Sequence, residues 1–299
     1  MGEILSGVLN VWKPMGCTSR DVVNHVQRLL PRRTKIGHAG TLDPLAEGVL
    51  VICVGTATRL IDYAQRGRKR YEAKFRLGLT TNTDDIEGSV LSSNPSLANP
   101  LTRDDVDRLL PHYVGTIQQV PPQFSAVHVK GQRAYDLARK GEAVKLAARS
   151  VEVYQLTITE FASPDFCLEI ECGSGVYVRS LGRDLGTELG CGATMTALRR
   201  TQVGSCDLKN AIPLADLAPV TWERHLLPPE SLLTDLPQQS LTPQQLQAVR
   251  QGQSIDLTLP PTTPEAALFD ANQRLAAIAI PLAQGQKWRP KIMLAGAIN

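Results

Sequence analysis

The stretch Ile36-Gly-His-Ala-Gly-Thr-Leu-Asp-Pro-Leu-Ala-Glu-Gly48, followed by Val49-Leu-Val-Ile-Cys-Val54, joins a polar loop to an apolar run. The apolar run is too short to span a membrane and predicts a buried strand. Glycines in the loop permit sharp turns and a close approach of the backbone to a ligand, and Pro44 biases Asp43 towards an extended conformation. The sequence therefore predicts that Asp43 lies on a fixed loop before a core strand. There Asp43 is either an acid oriented towards a ligand or a turn residue that caps the backbone.

The composition is that of a folded globular protein. The chain has 299 residues, of which 42% are apolar and 20% charged, enough for one large domain and a smaller one. Its six cysteines form no Cys-x-x-Cys pair and show no zinc spacing, which predicts free thiols in a reducing compartment. The N-terminus lacks the pattern of a signal peptide. We therefore expect a soluble, cytoplasmic protein with no membrane segment.

Basic residues cluster on both sides of the Asp43 loop. Arg32, Arg33 and Lys35 precede the loop, and four more basic residues lie within residues 66–70. Such clusters are either solvated faces or sources of salt-dependent attraction to RNA phosphates. The net charge of +3 is too small to decide between the two. The sequence thus predicts a basic rim that brackets the loop.

Strand patterns alternate with a few helix patterns but lack the regular spacing of βαβ units. A helix is predicted over Ser19–Leu30, with a capping box at its start and Pro31 at its end. An alternating strand is predicted over residues 71–79, and two more near residues 151–159 and 166–172. This pattern favours an α+β fold with a mixed, mainly antiparallel central sheet flanked by helices.

The character of the sequence changes near Leu236. A polar segment and a short helix pattern precede two apolar strands, at about Ala266–Phe269 and Leu275–Leu282, and the chain closes with another strand pattern. The sequence therefore predicts two domains. They are a large domain over residues 1–234 and a small β-rich domain over residues 235–299.

Motifs in separate blocks of the chain point to one family. The blocks are Gly7–Ser19, Gly37–Gly55, Val120–Arg139, Val176–Gly186 and Thr196–Gly204. In these blocks, and in their order, the chain resembles the TruB family of tRNA pseudouridine synthases. Two positions differ from the commoner family form. Phe124 stands where tyrosine is commoner, and His128 stands where a lysine or similar long residue is commoner.

The resemblance implies a substrate and a set of site residues. In the family, the aspartate of Gly-Thr-Leu-Asp-Pro-Leu-Ala is the catalytic residue, which by position is Asp43 here. The implied substrate is uridine 55 in the T loop of tRNA, bound through the T stem-loop. The residues implied to bind the substrate are His38, Tyr71, Tyr177, Arg179 and Leu198. The resemblance also implies the pseudouridine synthase fold and a PUA-like RNA-binding domain at the C-terminal end.

Most of these side chains also have a simpler structural interpretation. Tyr71 lies against the target base or is a core tyrosine, and Leu198 walls the uracil pocket or is a core leucine. Arg179 pairs with the catalytic aspartate, as in the family, or is an exposed helix arginine. His38 inserts into the RNA loop or is a backbone-bonded loop histidine. Outside the set, Lys13 is interpreted as a solvated turn lysine.

Pseudouridine formation is an isomerisation. It breaks the C1′–N1 bond of a uridine, turns the uracil and joins C1′ to C5, with no redox change and no donated group. The sequence also carries no P-loop, dinucleotide fingerprint or metal-ligand cluster. We therefore expect no cofactor and no metal. Whether Asp43 attacks C1′, adds to the base or removes a sugar proton is left open.

Two other functions are left open by the sequence. One is a related synthase that acts on ribosomal RNA through a guide-RNA complex, and the other is a tRNA-binding folding chaperone. The chain lacks the long basic extensions that the guide-dependent enzymes usually carry. We expect a monomer that modifies tRNA without an obligatory protein partner.

Overall fold

The computed structural model describes residues 5–94, 101–125, 127–129, 131–139, 145–260, 262–282 and 286–294. The strands within these residues are β1 (Gly7–Lys13), β2 (Ile36–His38), β3 (Glu47–Val54), β4 (Lys69–Leu77), β5 (Leu79–Thr81), β6 (Val90–Ser93), β7 (Gly115–Gln119), β8 (His128–Val129), β9 (Gln132–Arg133), β10 (Arg149–Ala162), β11 (Asp165–Cys172), β12 (Ala193–Val203), β13 (Cys206–Asp207), β14 (Ile212–Pro213), β15 (Gln238–Ser240), β16 (Ile255–Asp256), β17 (Ala266–Phe269), β18 (Leu275–Pro281) and β19 (Lys287–Met293). The α-helices are α1 (Ser19–Leu29), α2 (Ile61–Arg66), α3 (Arg103–Asp107), α4 (Ala134–Arg139), α5 (Val178–Glu188) and α6 (Pro243–Arg250).

One large sheet organises the first part of the chain. Its strand order is β14-β1-β3-β12-β4-β11-β10-β7, with β2 paired to β3 and β13 paired to β12. The pairs β1–β14 and β3–β12 are parallel, and the other described pairs of this sheet are antiparallel. The α+β prediction with a mixed, mainly antiparallel sheet is confirmed.

Strand β3 lies inside this sheet, between β1 and β12. Every residue of its apolar run, 49–54, is fully buried. Strand β1 pairs with it along its whole length, from Gly7 opposite Val54 to Lys13 opposite Gly48. Because both faces of β3 are covered, its sequence is continuously apolar rather than alternating. The prediction of a buried core strand is confirmed.

Helix α1 packs over β1 and β3 through its valines. Thr18 caps its start, where the hydroxyl accepts the N–H of Asp21 and the Asp21 carboxylate accepts the N–H of Thr18, so the predicted capping box is present. The helix ends at Leu29, and Leu30 is its C-cap, one residue before the predicted end. Thr18 thereby fixes the entry of the helix directly after the turn that follows β1.

Strand β4 shows the predicted alternation, with buried and exposed residues following each other from Lys69 to Leu77. The prediction that this strand runs on to Leu79 is wrong. Gly78 adopts a left-handed φ of 75°, which interrupts the extended backbone, and Leu79 begins the separate strand β5. The interruption turns the chain towards the acidic turn at residues 82–88.

A second sheet, ordered β15-β17-β18-β19-β16, occupies the C-terminal part of the chain. It has its own apolar core, which includes Leu268 and Trp288, and this confirms a β-rich C-terminal domain. The sheet packs against the first part of the chain through Leu60 and Tyr63. Arg66 on α2 adds an ion pair of 3.2 Å to Glu265 across this contact. Among the described helices, none is long and apolar enough to cross a membrane.

Gly48 is the position in β3 where a side chain is least tolerated. Its φ is +108°, and a Cβ atom there would lie 2.2 Å from the backbone oxygen of Arg200 on β12. Gly48→Ala should therefore lower the free energy of unfolding by ~3 kcal/mol or more, as backbone strain and overpacking add. The measurement is the urea midpoint of unfolding.

Gly190→Ala is the matched control for Gly48→Ala. Gly190 also has a left-handed φ, +74°, but an added Cβ meets nothing within 4 Å. Its alanine variant should lose only about 1 kcal/mol, the conformational part of the effect. Equal midpoints for the two variants would contradict the close contact of β3 with β12.

Candidate active site

A cavity of about 420 Å³ opens beside the Asp43 loop. It is lined by Gly40, Thr41, Leu42, Asp43, Gln65, Lys69, Tyr71, Phe124, Ser125, Tyr135, Ser174, Gly175, Val176, Tyr177, Val178, Arg179, Leu198 and Arg200. Segments that are far apart in the chain therefore meet at one place. Five of the six predicted site residues line the cavity, and His38 does not.

Asp43 and Arg179 form an ion pair inside this cavity. Arg179 Nη2 lies 3.0 Å from Asp43 Oδ2, and the Asp43 side chain keeps 35% of its surface exposed while Arg179 keeps 7%. Burial raises the pKa of the Asp43 carboxyl above its ordinary value, and the Arg179 guanidinium opposes that rise. The site thus holds a desolvated carboxylate that faces the cavity and is stabilised by one fixed cation.

Arg179 also binds a second carboxylate on its other side. Its Nη1 lies 3.3 Å from Asp85 Oδ2, and the Asp85 side chain is 7% exposed. It further donates to the carbonyls of Thr83 and Phe124, at 2.9 and 3.0 Å. The interpretation of Arg179 as an exposed helix arginine is wrong, because α5 turns this position inwards. Four partners therefore hold the guanidinium in place beside Asp43.

Sequence reasoning missed Asp85. In the sequence, Asp84 and Asp85 are adjacent acids of a polar turn without further ligands at regular spacing, which is poor evidence of a metal site. In the structure, Asp84 pairs with Arg183 at 3.0 Å, one helical turn beyond Arg179 on α5. Two arginines spaced by four residues on one helix, together with two adjacent acids, were the available signal. Nothing local in the sequence indicated that these segments meet.

Ser19 and Lys13 hold the Asp43 loop through hydrogen bonds to its backbone. The Ser19 hydroxyl accepts the N–H of Leu42 at 2.8 Å and donates to the Leu42 carbonyl at 3.0 Å. Lys13 is fully buried and donates to the carbonyls of Cys17, Pro14 and Pro44, at 2.7, 2.8 and 3.5 Å. The interpretation of Lys13 as a solvated turn lysine is therefore wrong. Burial lowers the pKa of its ammonium group.

Arg200 holds the other side of the same loop, a role that no local sequence pattern indicates. It is almost fully buried on β12. Its guanidinium donates to the carbonyls of Val49, Gly40 and Thr41, at 2.8, 3.0 and 3.3 Å. The bond to Val49 is fully buried, so without Arg200 that carbonyl would lose a partner that water cannot easily replace. Arg200 thereby ties the loop before Asp43 to strand β3.

Tyr71 and Leu198 form one wall of the cavity from neighbouring strands. Both side chains are buried, and Leu198 pairs with Ala73, two residues after Tyr71 on β4. Burial raises the pKa of the Tyr71 hydroxyl, so the phenol stays protonated. Tyr71 and Leu198 are therefore core residues, and both also line the cavity.

Tyr177 lies at the rim, immediately before α5. It is the N-cap residue of this helix, which begins at Val178. The side chain of Gln119 fixes its backbone, accepting from Tyr177 N–H at 2.8 Å and donating to the Tyr177 carbonyl at 3.1 Å. These two bonds tie the residue before α5 to β7, which helps to position the start of the helix and Arg179.

His38 lies on β2, where it pairs with Ile52 of β3. It is half-buried, and its pKa is lowered by burial and by the nearby charges of Arg20 and Arg200. It therefore stays neutral near pH 7. Its insertion into an RNA loop stays a prediction. The side chain of His128 lies outside the described part of the chain.

The basic residues after the loop are less available than their sequence suggested. Arg68 and Arg70 both pair with Glu171 at 3.0 Å. Lys69 is buried beside the cavity and donates to the carbonyls of Gln65 and Gly67, and burial lowers its pKa to about 8. This half of the predicted basic rim is thus largely neutralised by ion pairs or buried.

Comparisons with known proteins match nearly the whole chain to a single family. The family model described as TruB family pseudouridylate synthase (N terminal domain) matches residues 27–178, and the tRNA pseudouridylate synthase B C-terminal domain matches residues 179–236. A protein of Sinorhizobium medicae (strain WSM419) named tRNA pseudouridine synthase B is 41% identical, covering 99% of this chain and 97% of its own. The protein of the same name in Synechocystis sp. is 40% identical, covering 96% of this chain and 99% of its own.

Solved structures show the same fold. A chain of "Structure of H/ACA RNP bound to a substrate RNA containing 2'-deoxyuridine" has a TM-score of 0.71 at 23% identity and covers 98% of this chain and 85% of its own. A chain of "Crystal Structure of a Cbf5-Nop10-Gar1 Complex" has a TM-score of 0.71 at 26% identity, with 92% and 78% covered.

Proposed function

This chain belongs to the TruB family of pseudouridine synthases, and on that basis we propose that it converts uridine 55 in the T loop of tRNA to pseudouridine, with Asp43 as the catalytic residue. The observation that carries the proposal is the pairing of Asp43 with Arg179 at 3.0 Å inside a cavity of about 420 Å³. Relatives about 40% identical over nearly their whole length are named tRNA pseudouridine synthase B, which supports tRNA as the substrate.

The reaction sets three requirements that the cavity meets. An anionic group must reach the sugar or the base, and Asp43 is the carboxylate that faces the cavity. The target uridine must leave its stack, and the Tyr71 ring offers an aromatic face for the extruded base. The detached uracil must then be retained while it turns. Tyr71 and Leu198 supply a largely apolar wall for that step.

Arg179 and the loop contacts prepare Asp43 for this chemistry. Asp43 must carry a negative charge in each of its three possible roles. These roles are nucleophile towards C1′, nucleophile towards the base and proton acceptor. Arg179 favours that charge in a site where burial disfavours it. Ser19, Lys13 and Arg200 fix the backbone of the loop, so the carboxylate is oriented before the substrate binds.

We assign the two domains different tasks. Residues 1–234 form the catalytic domain, and residues 235–299 form a PUA-like domain that binds RNA. The matched family models end at residue 236, and the second sheet begins at Gln238, which supports a boundary near this point. The protein acts in the cytoplasm as a monomer and without an obligatory protein partner. Light scattering of the purified protein, alone and with tRNA, tests the monomer.

A guide-dependent activity is the competing function, because one structural neighbour is a chain of an H/ACA RNP. Its identity of 23% is well below the 41% and 40% of the tRNA-named relatives. The test incubates the purified protein with unmodified tRNA transcript, without metal or nucleotide, and maps pseudouridine by carbodiimide-dependent reverse-transcription stops. We expect a single new stop at the T-loop uridine. Absence of any stop, with tRNA still bound, would contradict the proposal in favour of the guide-dependent function.

A further inference from the structure

A second cavity, of about 330 Å³, is lined by four cationic side chains. They are Arg32, Arg33, Lys35 and Arg59, and all four are exposed. The other lining residues are Leu5, Thr34, Gly55, Thr56 and Thr58, so the lining contains no acid. Three hydroxyl residues, Thr34, Thr56 and Thr58, add polar groups to the same surface. This cationic pocket therefore has the chemistry of an anion site.

The backbone that carries the cations is tightly fixed. Arg33 adopts a left-handed φ of 66°, which is uncommon for a residue with a side chain. Thr34 binds the Pro31 carbonyl through both its N–H, at 3.2 Å, and its hydroxyl, at 2.7 Å. The Lys35 carbonyl accepts the N–H of Gly55 at 2.8 Å, which joins the two halves of the pocket. The cations are thus brought together by a defined turn rather than by a loose loop.

The charges of this pocket are not neutralised by the protein. Within the described residues, Arg32, Arg33 and Lys35 take part in no ion pair. By contrast, Arg68 and Arg70 after the Asp43 loop share Glu171. Clustered like charges repel each other and attract counter-ions, so a bound anion would relieve the repulsion. The unpaired positive charge of the basic rim is therefore concentrated before the Asp43 loop.

The cationic pocket lies at the opposite end of β3 from Asp43. The strand begins at Glu47, close to the Asp43 loop, and ends at Val54, next to Gly55 of the pocket. At about 3.3 Å per residue its length is roughly 23 Å. Helix α1 runs the same way, from Ser19 beneath the Asp43 loop to the segment before Arg32. An anion in the pocket is therefore too far away to belong to the nucleotide held at Asp43.

The pocket also adjoins the C-terminal sheet. Arg59 donates through Nη1 to the carbonyl of Met293 on β19, at 2.7 Å. The cations thus lie where the large sheet and the second sheet meet. A polyanion bound there would contact the catalytic domain beside its junction with the C-terminal domain.

We propose that Arg32, Arg33, Lys35 and Arg59 bind backbone phosphates of the substrate tRNA outside its T stem-loop. This inference rests on the proposed function, because it takes the T loop to occupy the Asp43 cavity. Arginine and lysine side chains on a fixed turn bind phosphates without reading the base sequence. The pocket therefore adds affinity for a complete tRNA and leaves the chemical step at Asp43 unchanged.

The test replaces the three cations of the turn together, as Arg32→Gln, Arg33→Gln and Lys35→Gln. We expect Kd for full-length tRNA to rise at least about tenfold and the magnitude of the slope of log affinity against log salt to fall by about 3, about 1 for each cation removed. Kd for an isolated T stem-loop hairpin and the saturating single-turnover rate should not change. The control variant Arg32→Lys, Arg33→Lys and Lys35→Arg keeps the charge and should bind tRNA within about threefold of the original protein, since the phosphate attraction is mainly a charge effect.

Three results would overturn the inference. These are unchanged tRNA affinity in the glutamine variant, an equal loss of affinity for the hairpin, or a phosphate-induced rise in Tm that the variant loses while tRNA binding stays intact. The last result would identify free phosphate as the ligand. Failure of the proposed function would be seen separately, as no modification of either full-length tRNA or the hairpin by the original protein. The comparison of Kd values does not depend on that outcome.

Discussion

Asp43→Asn should abolish pseudouridine formation, lowering the single-turnover rate by at least about 10³-fold, while Kd for tRNA stays within about tenfold, or 1.4 kcal/mol. The amide has nearly the shape of the carboxylate but can neither attack a carbon atom nor accept a proton as a base. Most of the RNA contact area lies outside this one side chain, so binding survives. The measurement is carbodiimide-dependent stops on tRNA transcript with enzyme in excess, together with filter binding.

Asp107→Asn is the matched control for this substitution. Asp107 is a partly exposed acid at the end of α3 and pairs with Arg103 at 3.2 Å, four residues earlier in the chain. Its asparagine variant changes the net charge by the same amount and should retain full turnover. Turnover by Asp43→Asn at the rate of this control would remove Asp43 from the mechanism.

The Asp43→Asn protein also separates catalysis from RNA folding. A tRNA-folding chaperone needs the binding surface but not the carboxylate. Refolding of a misfolded transcript by Asp43→Asn, measured by native gel, would show that such an activity coexists with catalysis. Absence of refolding by a variant that still binds tRNA would exclude a chaperone role independent of the carboxylate.

Arg179→Met should lower the single-turnover rate by about 10²- to 10³-fold, because it removes a preorganised charge from the site. It should also shift the acid limb of the pH–rate profile to higher pH. Burial raises the pKa of Asp43, and Arg179 opposes that rise more strongly than Lys13 does, so loss of Arg179 lets the pKa rise further. The carboxylate then becomes protonated, and activity is lost, at a higher pH as the solution is acidified.

A purely structural effect of Arg179→Met is controlled with a second variant. Arg179 also pairs with Asp85, and loss of the arginine leaves that buried carboxylate without its cation, a destabilisation of about 3–5 kcal/mol. Adding Asp85→Asn removes the orphaned charge and should restore much of the stability, as measured by the urea midpoint. The acid limb of the double variant should still lie at higher pH than in the original protein, but by less than in Arg179→Met, because the Asp85 charge also raises the pKa of Asp43. An unchanged profile would contradict the role of Arg179 in keeping Asp43 ionised.

Local patterns were sufficient for much of the fold. The apolar run of β3 identified a strand covered on both faces, because such a run is stable only inside a sheet. The capping box at Thr18 marked the start of α1, since it depends on residues only three apart. The strands of the C-terminal domain, from Ala266 to Pro281, were also placed within one or two residues.

Family motifs identified residues that the structure then brought together. Asp43, Tyr71, Tyr177, Arg179 and Leu198 line one cavity although they come from distant segments. Periodicity alone favoured burial for Tyr71 and exposure for Arg179. The second of these was wrong because the helix faces the acidic turn at Asp85, and no pattern within α5 encodes that partner.

The sequence by itself determined where strands and helices form, which strand is buried, and which aspartate belongs to the family motif. Only the tertiary structure decided what surrounds that aspartate. Lys13 and Arg200 are polar side chains that are buried because they bind backbone carbonyls of a loop distant in sequence. The physical reason is that secondary structure depends on neighbours a few residues apart, whereas burial of a charge depends on partners that only the folded chain supplies.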